Sequence, residues 1–117
     1  MKILLDECVS RKAKRLFANY EVSTVPEEGF AGLKNGKLLT ASEDAGFDIL
    51  LTIDKNMNYQ QNINKFELVL VVFDVFKSGV KYMEELMPEF ERQVDSFEKG
   101  KCYVIEKNDE DDPILSA

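Results

Sequence analysis

Two aspartates in the chain each end a short apolar run, and paired residues of this type could hold a metal ion. Asp6 closes the run at residues 2–6, and Asp54 directly follows the run at residues 48–53. Continuous apolar runs of this length are typical of strands buried on both faces of a parallel sheet. If these strands are neighbours, their carboxyl ends bring together two carboxylates, which repel each other unless a cation lies between them. The sequence therefore predicts a Mg²⁺ or Mn²⁺ site at Asp6 and Asp54.

Three further acids lie close to predicted strand ends. Asp74 lies near the end of the most apolar run, residues 66–75, and is predicted as a third metal ligand. Glu7 follows Asp6 directly, so the alternation of side chains along a strand sends the two carboxylates apart. Glu27 lies in the loop after the second predicted strand, where acids are usually solvated. Glu7 and Glu27 are therefore weaker candidates, and an Asp after a strand can also serve simply as a cap or turn residue.

An amide-rich segment follows Asp54 and could contact a substrate. Asn56, Tyr59, Gln60 and Gln61 can hydrogen-bond to a phosphate or to the edge of a base. A polar loop that caps a short helix has the same composition. Both interpretations are open from the sequence.

The segment after Ser10 predicts a helix with a basic outer face. Ser10 can cap it, and its outer positions are Arg11, Lys12, Lys14 and Arg15. Such a face could attract RNA or an acidic partner, although a plain solvated face has the same pattern.

The composition disfavours several functions. The net charge of −7 argues against a broad nucleic-acid-binding surface, although four of the acids lie together at positions 109–112. The chain has no histidine for general-base catalysis and no motif of a phosphate-binding loop, a dinucleotide-binding loop or a serine hydrolase. Cys8 and Cys102 are too few for a zinc site and are predicted to be buried core thiols.

The chain also lacks the signals of a membrane or secreted protein. No apolar run approaches the roughly 18 residues that span a bilayer, and the first residues meet charge too early for a signal peptide. We therefore expect a cytoplasmic protein with no membrane partner. The apolar residues Val75 and Phe76 could support a homodimer.

These residues are positioned by a predicted α/β fold. Five apolar runs, with helical patterns between most of them, predict a parallel sheet with helices on both faces. The runs are residues 2–6, 20–25, 48–53, 66–75 and 101–106. We expect strand order 2-1-3-4-5, with the most apolar strand, the fourth, at the sheet centre and the ligand site at the topological switch point between strands one and three. The predicted domain covers residues 1–107, and residues 108–117 are expected to form an acidic, disordered tail.

Three sequence segments resemble PIN-like proteins of bacterial toxin–antitoxin loci. They read KILLDECVSRK, EVSTVPEEGFAGLKNGKLL and AGFDILLTIDKNMNYQQN, and the resemblance covers roughly the first 75 residues in unbroken order. It implies a PIN-like fold and cleavage of RNA with Mg²⁺ or Mn²⁺ held by three or four acids. Asp6 matches the acid of the first strand, and Asp54 matches the acid of the TxD motif. Where the family has another acid before the TxD strand, this chain has Asn35 or Lys37, so the acidic site is reduced.

Three functions are compatible with these features. The first is a metal-dependent ribonuclease, the toxin partner of an antitoxin protein, with Asp6 and Asp54 as catalytic residues. The second is a catalytically inactive PIN-like module that binds a partner protein or nucleic acid through the same crevice. The third is a receiver-like domain in which Asp54 accepts a phosphoryl group and Lys107 contacts it. Asp74 opposes the third, since a receiver has Ser or Thr at that position.

Overall fold

The computed structural model describes residues 1–55, 62–77 and 79–107, and within them five parallel strands form one sheet. The strands are β1 (Lys2–Leu5), β2 (Glu21–Thr24), β3 (Ile49–Thr52), β4 (Val69–Phe73) and β5 (Cys102–Ile105). Their order is β2-β1-β3-β4-β5, and every neighbouring pair is parallel. The predicted α/β fold and strand order are confirmed. The central strand is β3 rather than β4, because β4 has only β5 beyond it.

Helices cover both faces of this sheet, as the pattern predicts. Among the described residues, the α-helices are α1 (Asn35–Asp44) and α2 (Val80–Gln93), and three short 3₁₀ helices span Arg11–Phe17, Ile63–Lys65 and Val94–Ser96. Side chains alternate between two cores along each strand, so Ile3 and Leu5 enter one core and Leu4 enters the other. The strands are therefore apolar throughout, which is why their sequences read as continuous runs.

The core on the α2 face is built around aromatic rings. Phe17 of the first 3₁₀ helix, Phe73 of β4 and Phe90 of α2 meet with ring centroids 5.5–6.1 Å apart. All three side chains are fully buried. Tilted and edge-on pairs at such distances each add about 0.5–1.5 kcal/mol beyond the burial of their area. Val75 also belongs to this core, so of the two residues predicted to support a dimer only Phe76, 86% exposed, is available at the surface.

Helix ends follow the predicted signals. Ser10 caps the first helix, because its hydroxyl oxygen accepts a hydrogen bond from the Lys12 N–H at 3.2 Å, although this helix is of the 3₁₀ type. Gly46 follows the end of α1 with φ +82°, the left-handed conformation that glycine adopts most readily. Pro88 lies inside α2, which runs as a single helix from Val80 to Gln93.

The amino ends of the strands are tied together by Asp48, which precedes β3. Its carboxylate accepts a hydrogen bond from the Lys2 N–H and another from the Lys99 ammonium, each at 2.8 Å. The opposite edge, where the carboxyl ends of all five strands lie, is called the carboxyl edge below. Within the described ranges no helix has the length and apolarity needed to cross a membrane. The predicted tail at residues 108–117 lies outside the described residues.

Candidate functional site

The site is built at the switch point of the sheet, where β1 pairs with β2 on one side and with β3 on the other. The pairing of β1 with β3 ends at Leu5 and Leu51. One further backbone hydrogen bond follows, from the Asp6 N–H to the Leu51 carbonyl oxygen at 2.8 Å. This bond fixes Asp6 at the carboxyl edge, between two central strands, which is where ligands bind in sheets of this topology.

The carboxylate of Asp6 is held by two hydrogen bonds from nitrogen and oxygen donors, besides the longer one from the Cys8 thiol that is described below. The residue is only 7% exposed. Its Oδ1 accepts from the Glu7 N–H, and its Oδ2 accepts from the hydroxyl of Thr52, both at 2.8 Å. A carboxylate oxygen can accept about two hydrogen bonds, so Oδ1 keeps a lone pair for another partner. The side chain is therefore fixed in orientation and still able to bind a cation.

Thr52 connects Asp6 to Asp54. Its fully buried hydroxyl donates to Asp6 and accepts a hydrogen bond from the Asp54 N–H at 3.1 Å. Asp54 itself is exposed, just beyond the end of β3. One hydroxyl thus sets both the orientation of the first carboxylate and the backbone position of the second. Sequence reasoning did not assign Thr52 a role, although its place two residues before Asp54 was a usable signal, because residues at that spacing share one face of a strand.

Asp74 lies at the same edge but is engaged with a lysine. It follows β4, is half-buried, and is anchored by a hydrogen bond from its N–H to the Ile105 carbonyl oxygen at 2.8 Å. Its Oδ1 lies 2.9 Å from the ammonium of Lys55. Three neighbouring strands therefore end in Asp6, Asp54 and Asp74, as predicted, with a cation already placed beside the third. In the part of the chain that is described, no three acidic, cysteine or histidine side chains form a group that could hold a metal ion.

Cys8 belongs to this site, which the sequence did not reveal. It is exposed rather than a buried core thiol, so that prediction was wrong, because the residue lies in the turn beyond β1 and not in a strand. Its sulfur lies 3.3 Å from the Thr52 hydroxyl and donates to Asp6 Oδ2 at 3.7 Å. Partial desolvation of the sulfur, together with the negative charges of Asp6 and Asp54, raises the pKa of the thiol despite its hydrogen bonds. Cys102 is half-buried and is also a free thiol.

The two weaker acidic candidates stabilise nearby turns. The Oε1 of Glu7 accepts a hydrogen bond from the Gly32 N–H at 3.1 Å, which ties the loop before α1 to the carboxyl edge. Glu27 forms an ion pair with Lys14 at 3.0 Å and accepts a hydrogen bond from the Thr24 N–H at 3.1 Å. Hydrogen bonds from Lys14 and Thr24 lower the pKa of Glu27. These contacts account for both residues without a ligand.

The remaining candidates contribute less to the described geometry. Asn35 is the first residue of α1 and has φ +52°, which is uncommon for a residue other than glycine, and Lys37 is exposed in the first turn. Lys107 follows β5 and lines a cleft of about 350 Å³ against α2. The predicted substrate contacts Asn56, Tyr59, Gln60 and Gln61 lie outside the described residues.

Comparison of the chain with protein-family models, with curated proteins and with solved structures found no match. The resemblance to PIN-like proteins is therefore a hypothesis that rests on the sequence segments alone. Any function has to be argued from the arrangement of the carboxyl edge.

That arrangement can support the chemistry of a hard cation. Asp6 and Asp54 provide two carboxylates at neighbouring strand ends, and a divalent ion such as Mg²⁺ commonly takes one or two carboxylates and completes its shell with water and a substrate phosphate. The Lys55 ammonium lies at the same edge and adds positive charge beside Asp74. A phosphate-bearing ligand therefore fits the donor groups of this site better than a neutral one.

Proposed function

We propose that the chain is a metal-dependent ribonuclease of the PIN-like type, the toxin of a toxin–antitoxin pair, with Mg²⁺ or Mn²⁺ held by Asp6 and Asp54. The observation that carries this proposal is the hydrogen-bond chain from Asp54 through Thr52 to Asp6, which couples the two carboxylate-bearing residues across the switch point. A buried carboxylate is costly unless it is well paired. A buried carboxylate that lies at a sheet edge next to a second acid is typical of a site that binds a cation.

The residues present would divide the work as follows. When bound, the metal ion would activate a water molecule and stabilise the charge that develops on the phosphate. Asp6, held at both oxygens, would fix the position of the ion, and the exposed Asp54 would be the ligand nearer to the substrate. Lys55 would attract the phosphodiester, since its side chain is more than half exposed even while paired with Asp74.

The proposal is tested by metal binding and RNA cleavage in the same preparation. The intact chain should bind Mn²⁺ in a calorimetric titration and should cleave a mixed RNA pool only when Mn²⁺ or Mg²⁺ is present. Asp54→Asn should abolish cleavage and weaken Mn²⁺ binding by at least tenfold. Asp95→Asn is the matched control, because it removes the same charge from an exposed residue of the 3₁₀ helix at Val94–Ser96. Absence of both binding at millimolar Mn²⁺ and cleavage would refute the proposal.

A binding module without catalysis is a second candidate, and the Lys55–Asp74 ion pair favours it. The ammonium of Lys55 lies beside Asp74 and reduces the negative charge of the site without any metal ion. Such a module would bind single-stranded RNA equally well in EDTA and in Mn²⁺ and would leave the RNA intact. It would also keep its affinity when Asp6 and Asp54 are both changed to Asn, whereas the ribonuclease would lose its metal dependence in that variant.

A further inference from the structure

A cleft of about 710 Å³ opens at the carboxyl edge, beyond the ends of β1 and β2. The first 3₁₀ helix forms one wall with Arg11, Lys12 and Lys14, and the turn after β2 forms the other with Thr24 and Glu27. The residue that joins the cleft to the acidic pair is Glu7, which also lines it and follows Asp6 directly. The cleft and the acidic pair are therefore neighbouring parts of one edge.

The cations of this cleft are not equivalent. Lys14 is neutralised, because its ammonium lies 3.0 Å from the carboxylate of Glu27. Arg11 and Lys12 are exposed and form no salt bridge with any residue that the structure describes. Arg11 and Lys12 are thus not ion-paired within the described part of the chain, and with Glu7 included the charged side chains that line the cleft sum to +1, in a chain whose net charge is −7.

The rest of the cleft suits a ligand that combines phosphate with a less polar part. The Ser10 hydroxyl oxygen accepts from the Lys12 N–H, which leaves its own proton for a ligand. Val9 and Pro26 add apolar surface to the lining. A guanidinium presents paired N–H donors that match phosphate geometry, and a lysine ammonium adds a mobile point charge.

The charges along the carboxyl edge indicate on which side of the acidic pair an extended polyanion would lie. On the far side of the acidic pair, Asp74 is paired with Lys55, and the smaller cleft beyond it is lined by three glutamates and two cations, a sum of −1. Beyond Lys55 that side is therefore net negative, so an extended polyanion that passes Asp6 and Lys55 would be favoured toward the side of Arg11. Neighbouring strands are about 4.8 Å apart, so β2 at the cleft and β3 before Asp54 are separated by two strand spacings, roughly 10 Å. A polynucleotide that runs along the carboxyl edge can therefore contact both.

We propose that this cleft binds the phosphodiester backbone of single-stranded RNA, on the β2 side of the bond placed at Asp6 and Asp54. The inference deepens the proposed ribonuclease function by assigning where the substrate lies. Unlike cleavage, RNA binding by the cleft does not require a metal ion, because the positive charges of Arg11 and Lys12 are part of the protein. An acidic peptide is the competing occupant, and it would not require the acidic pair nearby.

The test is the binding of a fluorescein-labelled short oligouridylate in EDTA, followed by anisotropy across a range of KCl concentrations. The double variant Arg11→Ala/Lys12→Ala should bind about 2- to 30-fold more weakly, if each cation contributes as an exposed ion pair does. The slope of log affinity against log salt should fall by about 1.4, roughly 0.7 for each single-strand phosphate. The control is Lys65→Ala/Lys101→Ala, which removes two positive charges from residues that precede β4 and β5 on the opposite edge, Lys101 being paired with Glu98, and it should bind like the wild type. The single variant Arg11→Lys should retain most of the wild-type affinity for the oligouridylate, since it keeps the positive charge.

The outcomes separate this inference from the proposed function. Equal binding by the wild type and Arg11→Ala/Lys12→Ala, or no binding by the wild type at low salt, would overturn the cleft as an RNA site. Stronger competition by an oligoglutamate than by unlabelled oligouridylate of equal charge would assign the cleft to an acidic peptide instead. If the affinity falls as expected but Mn²⁺ supports no cleavage, the cleft stands and the ribonuclease fails. If the double variant cleaves RNA with an unchanged KM, the ribonuclease function stands and the cleft is not its RNA site.

Discussion

Thr52→Val is the sharpest perturbation of the carboxyl edge, because it removes one hydroxyl and keeps the shape of a fully buried side chain. The Asp6 carboxylate would lose a charge-assisted hydrogen bond of 2.8 Å, and the Asp54 N–H would lose its acceptor at 3.1 Å. The first loss costs about 1.5–3 kcal/mol and the second about 0.5–1.5 kcal/mol. The additional buried methyl group offsets about 0.8 kcal/mol. The free energy of unfolding should therefore fall by about 1–4 kcal/mol.

Urea unfolding followed by circular dichroism measures this effect. With a urea dependence of about 2 kcal/mol per molar, a decrease of about 2.5 kcal/mol lowers the unfolding midpoint by about 1.2 M. Thr52→Ser is the matched control, since it keeps the hydroxyl and should retain most of the stability. A double-mutant cycle with Asp6→Ala should give a coupling energy of about 1 kcal/mol or more, because the two residues share the bond. A midpoint for Thr52→Val within experimental error of the wild type, or a coupling energy near zero, would refute the assigned role of the hydroxyl.

Three other predictions concern separate parts of the molecule. Lys55→Met should change the free energy of unfolding by less than about 0.5 kcal/mol, because exposed ion pairs contribute little. It should tighten Mn²⁺ binding several-fold, because it releases Asp74 from its ion pair. An unchanged Kd for Mn²⁺ in calorimetry would contradict this. Pro88→Ala should raise the free energy of unfolding by about 1 kcal/mol or more, and with it the urea midpoint by about 0.5 M, since it restores a backbone donor inside α2. An unaltered midpoint would show that the helix accommodates the ring without cost. Partial burial raises the pKa of Asp48, but the hydrogen bonds and ion pair at its carboxylate outweigh this and lower it from its usual 3.8. The stabilisation by Asp48 is therefore fully present above that value and is lost as the pH falls through the folded-state pKa, so Asp48→Asn should flatten the acid limb of a stability profile against pH.

The sequence alone determined the fold class and strand order of this protein. Each strand of a two-faced parallel sheet is buried on both sides, so its residues are apolar without interruption and can be recognised in the sequence. The rule of right-handed crossovers then leaves few orders, and 2-1-3-4-5 proved correct. Asp6, Asp54 and Asp74 were located at the carboxyl edge by the same reasoning, because strand ends in a parallel sheet coincide.

Only the tertiary structure decided what these acids contact. Hydrogen bonds between residues 46 positions apart, such as that from Thr52 to Asp6, depend on strand register, which no local pattern encodes. The pairing of Asp74 with Lys55 and the exposure of Cys8 depend likewise on turns whose side-chain directions follow from packing. The carboxyl edge was therefore predictable in its location and its acidic residues, whereas its hydrogen-bond network and its basic cleft arise from neighbours brought together by the folded sheet.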